Sequence, residues 1–185
     1  MCGDELGGIN GVAYISDTLQ ADLFANDDTM NAEKLTDIIW WETQIQAGLI
    51  FVVPSTRGTF DGGAANNVSG FRSDEPEKMV SKTFTAVIND RNHAQNGEFY
   101  EALENNARGF YLAWNSGNEL RMSRVPIQSF LAQDPVEEDF TSRLQWQATI
   151  TWIQKKPKTI VPSLTLTEFN DIKELFSNCI DEEEP

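Results

Sequence analysis

The chain has 185 residues, 40% hydrophobic, 10% aromatic and 23% charged, which excludes a collagen-like, coiled-coil or wholly disordered chain. It carries 14 basic and 29 acidic residues, a net charge of −15, so a tight nucleic-acid grip built on clustered Lys and Arg is excluded. One histidine and two cysteines, Cys2 and Cys179, supply neither a disulfide framework nor a structural zinc site.

The opening Gly-Val-Ala-Tyr-Ile-Ser, within Gly7 to Asp17, predicts a short strand entered through Gly7, Gly8 and Gly11. Residues 18–30, with Asn26, Asp27 and Asp28, read as loop. A helix is expected over 32–47, with Asn31 as N-cap, Glu33 at the positive end of the dipole and Gly48 as the stop. Leu35, Ile38, Trp41 and Ile45 form its apolar stripe, widened by Ile39 and Trp40. The adjacent tryptophans read first as anchors on the helix's own core and second as a ligand platform.

Leu49 to Val53 predicts a buried strand ending at Pro54. Residues 55–78 give the strongest loop signal in the chain, with Gly58, Gly62, Gly63, Asn66, Asn67, Gly70 and Pro76. No P-loop or Gly-x-Gly-x-x-Gly pattern accompanies these glycines, so they are not read as phosphate-binding. Residues 79–90 alternate, with Phe84, Ala86 and Ile88 on one face, and predict a strand. Asn96 caps a helix over 97–108, ended by Gly109. Phe110 to Trp114 and Glu119 to Arg124 form a hairpin around a turn at Asn115 to Asn118. Pro126 marks an edge or a bend, and Asp134 to Asp139 an acidic loop. Leu144, Trp146, Ala148, Ile150 and Trp152 alternate with polar residues, which predicts a long strand with one face on the core.

Beyond Lys158 an extended stretch with Pro162 leads to a last helix, capped by Thr167, with Phe169, Ile172, Leu175, Phe176, Cys179 and Ile180 on one side. The expected organisation is a β-rich domain over 1–156 and a C-terminal arm over 157–185. The arm packs either on its own body or on a neighbouring copy, and is expected to serve assembly more than folding. The fold class is mainly β (α+β): an antiparallel β-sandwich or barrel with flanking helices and a C-terminal helical arm. Charge divides along this plan. Residues 1–50 hold nine acids and one base, 51–166 thirteen and twelve, and 167–185 seven and one.

Chemistry is sparse. Any Ser-His-Asp or Cys-His arrangement must pass through His93, which sits in a polar loop before a helix. Metal-ligand spacings and cofactor motifs are missing, and the Asp134 to Asp139 cluster reads as a solvated loop before it reads as a calcium site. The expectation is no enzyme, no cofactor and no metal. No apolar run of about 18 residues predicts a membrane span, and Asp4 and Glu5 stand where a signal peptide needs a basic region. A cytosolic origin fits the cysteine count. Cys2 leaves a second reading open, a lipid-anchored or secreted carbohydrate- or protein-binding sandwich using surface aromatics among Trp40, Trp41 and Trp114.

From Met79 to Ile153 a strand, a short helix at Asn96 to Leu103, a hairpin at Phe110 to Arg124 and a long alternating strand ending at Trp152 follow in order. This order resembles the tail tube proteins of long-tailed bacteriophages and the related tubes of contractile injection systems. The opening Gly7-Gly8-Ile9 to Tyr14-Ile15 also resembles the start of small phage tail proteins. The Trp-rich helix and the C-terminal helix depart from the minimal tube fold. The resemblance implies a self-assembling virion subunit, made in the host cytoplasm, that forms a hexameric ring and stacks into a tube for DNA. Its partners would be itself and other virion proteins, with DNA passing unbound and no membrane involved. Loops and arms that reach neighbours make Gly58, Gly62, Gly63, Phe71, Phe169, Ile172 and Phe176 the candidate assembly residues.

Overall fold

Val12, Ala13, Tyr14 and Ile15 are apolar at both parities, so β1 (Ile9–Ser16) has no side to offer to water. The same holds for Tyr111 to Trp114 in β7 (Phe110–Ser116), and all eight side chains are buried. The two strands pair antiparallel, Val12 opposite Trp114 and Tyr14 opposite Leu112. They lie inside a five-stranded sheet in the order β11 (Ser163–Thr165), β8 (Glu119–Met122), β7, β1, β4 (Ile50–Pro54). The computed structural model describes residues 9–26, 29–54, 57–68, 77–88, 96–133, 146–155, 161–167 and 170–177.

A second sheet of four antiparallel strands runs β5 (Arg57–Val68), β6 (Glu77–Ile88), β10 (Trp146–Lys155), β9 (Ser129–Gln133). Between the sheets, Val12, Tyr14, Leu112 and Trp114 meet Phe130, Ala148, Ile150 and Trp152, and α4 (Gly97–Asn105) adds Tyr100 and Leu103. Aromatic rings fill much of this layer. Phe60, Trp114 and Trp152 lie 5.0 to 6.0 Å apart, and Phe99 stacks on Phe51 at 4.0 Å. The Trp152 indole donates to Gln154 Oε1 at 3.1 Å, which explains a fully buried glutamine at the end of an apolar strand.

The other side of the first sheet carries α1 (Gln20–Leu23), α2 (Ala32–Leu35), α3 (Ile38–Gln46) and α5 (Asp171–Ser177). Leu23, Leu35, Trp41, Ile172 and Phe176 pack there against Ala13, Ile15, Ile50 and Tyr111. The architecture is therefore helices on sheet on sheet, an α+β fold with a mainly antiparallel β body, as expected from the sequence.

Several elements differ from the sequence reading. The helix expected over 32–47 is two helices. Asp37 breaks it by accepting the Ile39 amide at 3.0 Å and capping α3, and the Trp41 indole donates to the Leu35 carbonyl at 3.1 Å. Asn31 does cap α2, and Gly48 ends α3 with φ +73°, the left-handed region that favours glycine. Residues 18–30 were expected as loop but hold a 3₁₀ turn at Asp17–Leu19, α1 and a small ribbon of β2 (Phe24–Asn26) and β3 (Thr29–Met30). The helix over 97–108 stops at Asn105, and a 3₁₀ turn at Ala107–Gly109 completes it.

The largest correction is at 55–78. Residues 57–68 are a twelve-residue strand paired along β6, because the alternating partner supplies a ladder that glycine-rich sequence does not announce. The last helix begins at Asp171, capped by Asn170, whose Oδ1 accepts the Ile172 amide at 2.9 Å, and not at Thr167. Its backbone lies directly on β1. A Cβ added at Gly11 would sit 2.4 Å from the Phe176 carbonyl oxygen, so only glycine permits this approach.

Candidate assembly surface

The two sheets end differently. In the first sheet the terminal strands are short, three residues in β11 and five in β4, and the Phe51 ring of β4 is stacked by Phe99 of α4. In the second sheet β5 is terminal and twelve residues long, and among the described residues no strand pairs with its outer side. A long edge strand presents a row of backbone donors and acceptors, a ready template for another chain. At the far side of the same sheet, the terminal strand β9 lies beside α4, and its Ala132 amide donates to Glu104 Oε1 at 3.4 Å.

Gly58 stands in β5 opposite Ala86. Gly62 and Gly63 fall where the register slips by one residue, Asp61 pairing with Thr83 and Ala64 with Ser81, which is a β-bulge. A bulge adds local twist, and glycine accommodates the irregular backbone. These three candidate residues thus lie on the open edge strand and not in a reaching loop. Phe71 and Phe169 lie outside the described residues.

Ile172 and Phe176, candidate assembly residues, are expected to pack either on the chain's own body or on a neighbouring copy. Both are fully buried in the chain's own helix layer, Phe176 edge-on to Trp41 at 5.7 Å, so they form core and offer no surface. The arm that holds them adds β11 to the first sheet and α5 to the helix layer. Trp40, Trp41 and Trp114 are also buried, so these rings form no aromatic platform. His93, Cys2, Cys179 and the Asp134 to Asp139 cluster lie outside the described residues.

In the second sheet Thr59, Ser129 and Leu131 are exposed, and Thr149 and Thr151 partly so. One row across its strands is Thr59, Thr85, Thr149, Leu131, and the next is Asp61, Thr83, Thr151, Ser129. Burial alternates along β10, with Ala148, Ile150 and Trp152 inside and Thr149 and Thr151 half-exposed, as the sequence pattern predicts. Ser129 and Thr151 hydroxyls bond at 2.5 Å. Leu131, 55% exposed on β9, and Ile39, 69% exposed on α3, are the large apolar side chains left in water among the described residues.

Electrostatics offers no reactive group among the described residues. Burial pushes the Tyr14 phenol well up from its ordinary range, and its hydroxyl has no hydrogen-bond partner. Burial, and then the Asp17 charge, raise Tyr111. No three His, Cys, Asp or Glu side chains gather to hold a metal, and no helix is long and apolar enough to cross a membrane, both among the described residues.

The sequence places an edge or a bend after Pro126, where the terminal strand β9 stands, but does not name β9 as a strand and reads 57–68 as loop. For β9 a signal was present in the apolar run Phe130-Leu131-Ala132 after Pro126. For β5 the signal was indirect, since a strand as long as β6 needs partners along its length. No protein-family model matches the chain, and no similar curated protein or solved structure is found.

Proposed function

We propose that the chain is a structural subunit that assembles with copies of itself, of the tail tube kind. In this reading rings, hexameric by resemblance, stack into a hollow tube within a virion, alongside other virion proteins, and DNA passes through without specific binding. One observation carries the reading: among the described residues the second sheet is four strands, every neighbour antiparallel, with a long strand at one side that no strand pairs on its outer side.

Four alternating strands leave β5 and β9 running in opposite directions. A second copy's β5 placed beside β9 therefore continues the antiparallel order without a break. Repeating that head-to-tail step either closes a ring or runs into a filament, and a closed ring leaves no edge exposed. β6, α4, the β7–β8 hairpin and β10 follow in the order on which the resemblance rests, with β9 added between the hairpin and β10. The uncharged Thr59, Ser129, Thr149 and Thr151, exposed or partly exposed on this sheet, suit a wall past which a polyanion moves. No catalytic step enters this reading.

The test is the assembly state. Mass photometry across a concentration series, followed by electron microscopy of concentrated protein, should show rings or tubes. A monomer at every concentration would sink the proposal.

A further inference from the structure

We infer that Glu104 is a latch on the β9 edge, occupying a backbone donor that the incoming strand of a second copy needs. The inference rests on the assembly reading and adds a control to it.

Ala132 stands opposite Ala148 in the ladder, and its amide donates to Glu104 Oε1. In an antiparallel pair the N–H and C=O of one residue point to the same side. The Ala132 amide and carbonyl therefore both face outward, toward the position the next strand would take. Glu104 belongs to α4, whose Tyr100 and Leu103 are buried, so the helix is anchored while its carboxylate reaches the edge from an exposed position. Natural sheets protect edges with charges and covering helices. Here the charge of Glu104 stands at the β9 edge, whereas β5 has no partner strand on its outer side among the described residues.

The occupant is the β5 edge of another copy. The antiparallel parity of the sheet admits that strand, and the exposed Leu131 beside Ala132 gives it apolar surface to cover. Pairing requires the carboxylate to swing back to water and surrender the amide. The latch thus holds the monomer soluble and sets the concentration at which copies join.

The experiment compares wild type, Glu104→Ala and Glu104→Gln. Each is followed by mass photometry and by residue-resolved hydrogen exchange of the monomer. The glutamine carbonyl still accepts the amide and alanine does not. Expected results are a midpoint of assembly about fivefold lower for Glu104→Ala, near wild type for Glu104→Gln, and faster Ala132 exchange only in the alanine variant. If wild type assembles and Glu104→Ala matches it, the latch is wrong and the assembly reading stands. If Glu104→Gln assembles as readily as Glu104→Ala, the carboxylate acts by charge alone and the hydrogen-bond latch is overturned. If no variant assembles at any concentration, the assembly reading itself fails and the latch with it.

Discussion

The two sheets of this protein are built from similar strands and covered differently. The first is buried on both faces, with Val12 and Tyr14 toward the other sheet and Ala13 and Ile15 toward the helices. The second, along β9 and β10, is buried on one face and partly exposed on the other, and it ends in a long strand with no partner strand on its outer side among the described residues. Stability is concentrated in the sheet whose two faces are covered. A sheet covered on both faces has spent its surface on the core, while a sheet with a polar face and an unpaired edge keeps backbone groups for another molecule.

The comparison breaks most directly at the helix layer. Ending the chain after Lys158 removes β11 and α5 and strips Ile172 and Phe176 from the core, and should cost at least ~5 kcal/mol. Gly11→Ala is the single-residue form of this cut, since the new methyl meets the Phe176 carbonyl, with an expected cost of about 3 kcal/mol. Urea unfolding midpoints measure both. A truncated chain that keeps its midpoint and loses only assembly would make α5 a clamp between copies and dissolve the contrast drawn here.

A smaller effect probes the layer between the sheets. Tyr14→Phe removes a buried hydroxyl with no partner and should stabilise by about 1 kcal/mol. It should also change the alkaline limb of stability. The folded-state phenol pKa is raised by burial, so the unfolded chain releases its proton first, near the ordinary value of about 10. Stability is unaffected below that pH and falls as pH rises above it. Tyr14→Phe should flatten this decline, leaving the weaker contribution of Tyr111. An alkaline melting series in which the two proteins run parallel would show that Tyr14 is not the group responsible.

The smallest expected effect lies on the outward face. Thr149→Ala changes a partly exposed side chain between the buried Ala148 and Ile150 and should move stability by no more than about 0.5 kcal/mol. Thermal unfolding checks it. A loss several times larger would mean that the hydroxyl rows hold the sheet together and that this face is not free for another purpose.

The sequence alone determined whatever local periodicity could express. Alternation over Leu144 to Trp152 announced β10 and its buried face, and the run from Val12 to Ile15 announced β1. Gly48 fixed a helix stop, and the antiparallel α+β class followed from the order of these segments. Three matters were decided only by tertiary structure. The ladder with β6 made a strand of the glycine-rich 57–68, because backbone pairing can hold a sequence whose own propensity is weak. The cap at Asp37 and the buried indole bond to Leu35 split one periodic stripe into two helices, because a side chain competing for backbone groups leaves no mark on hydrophobic spacing. The apolar face of the last helix was equally compatible with a neighbour or with its own body. Gly11, by allowing the helix backbone to rest on β1, is where the fold chose the body.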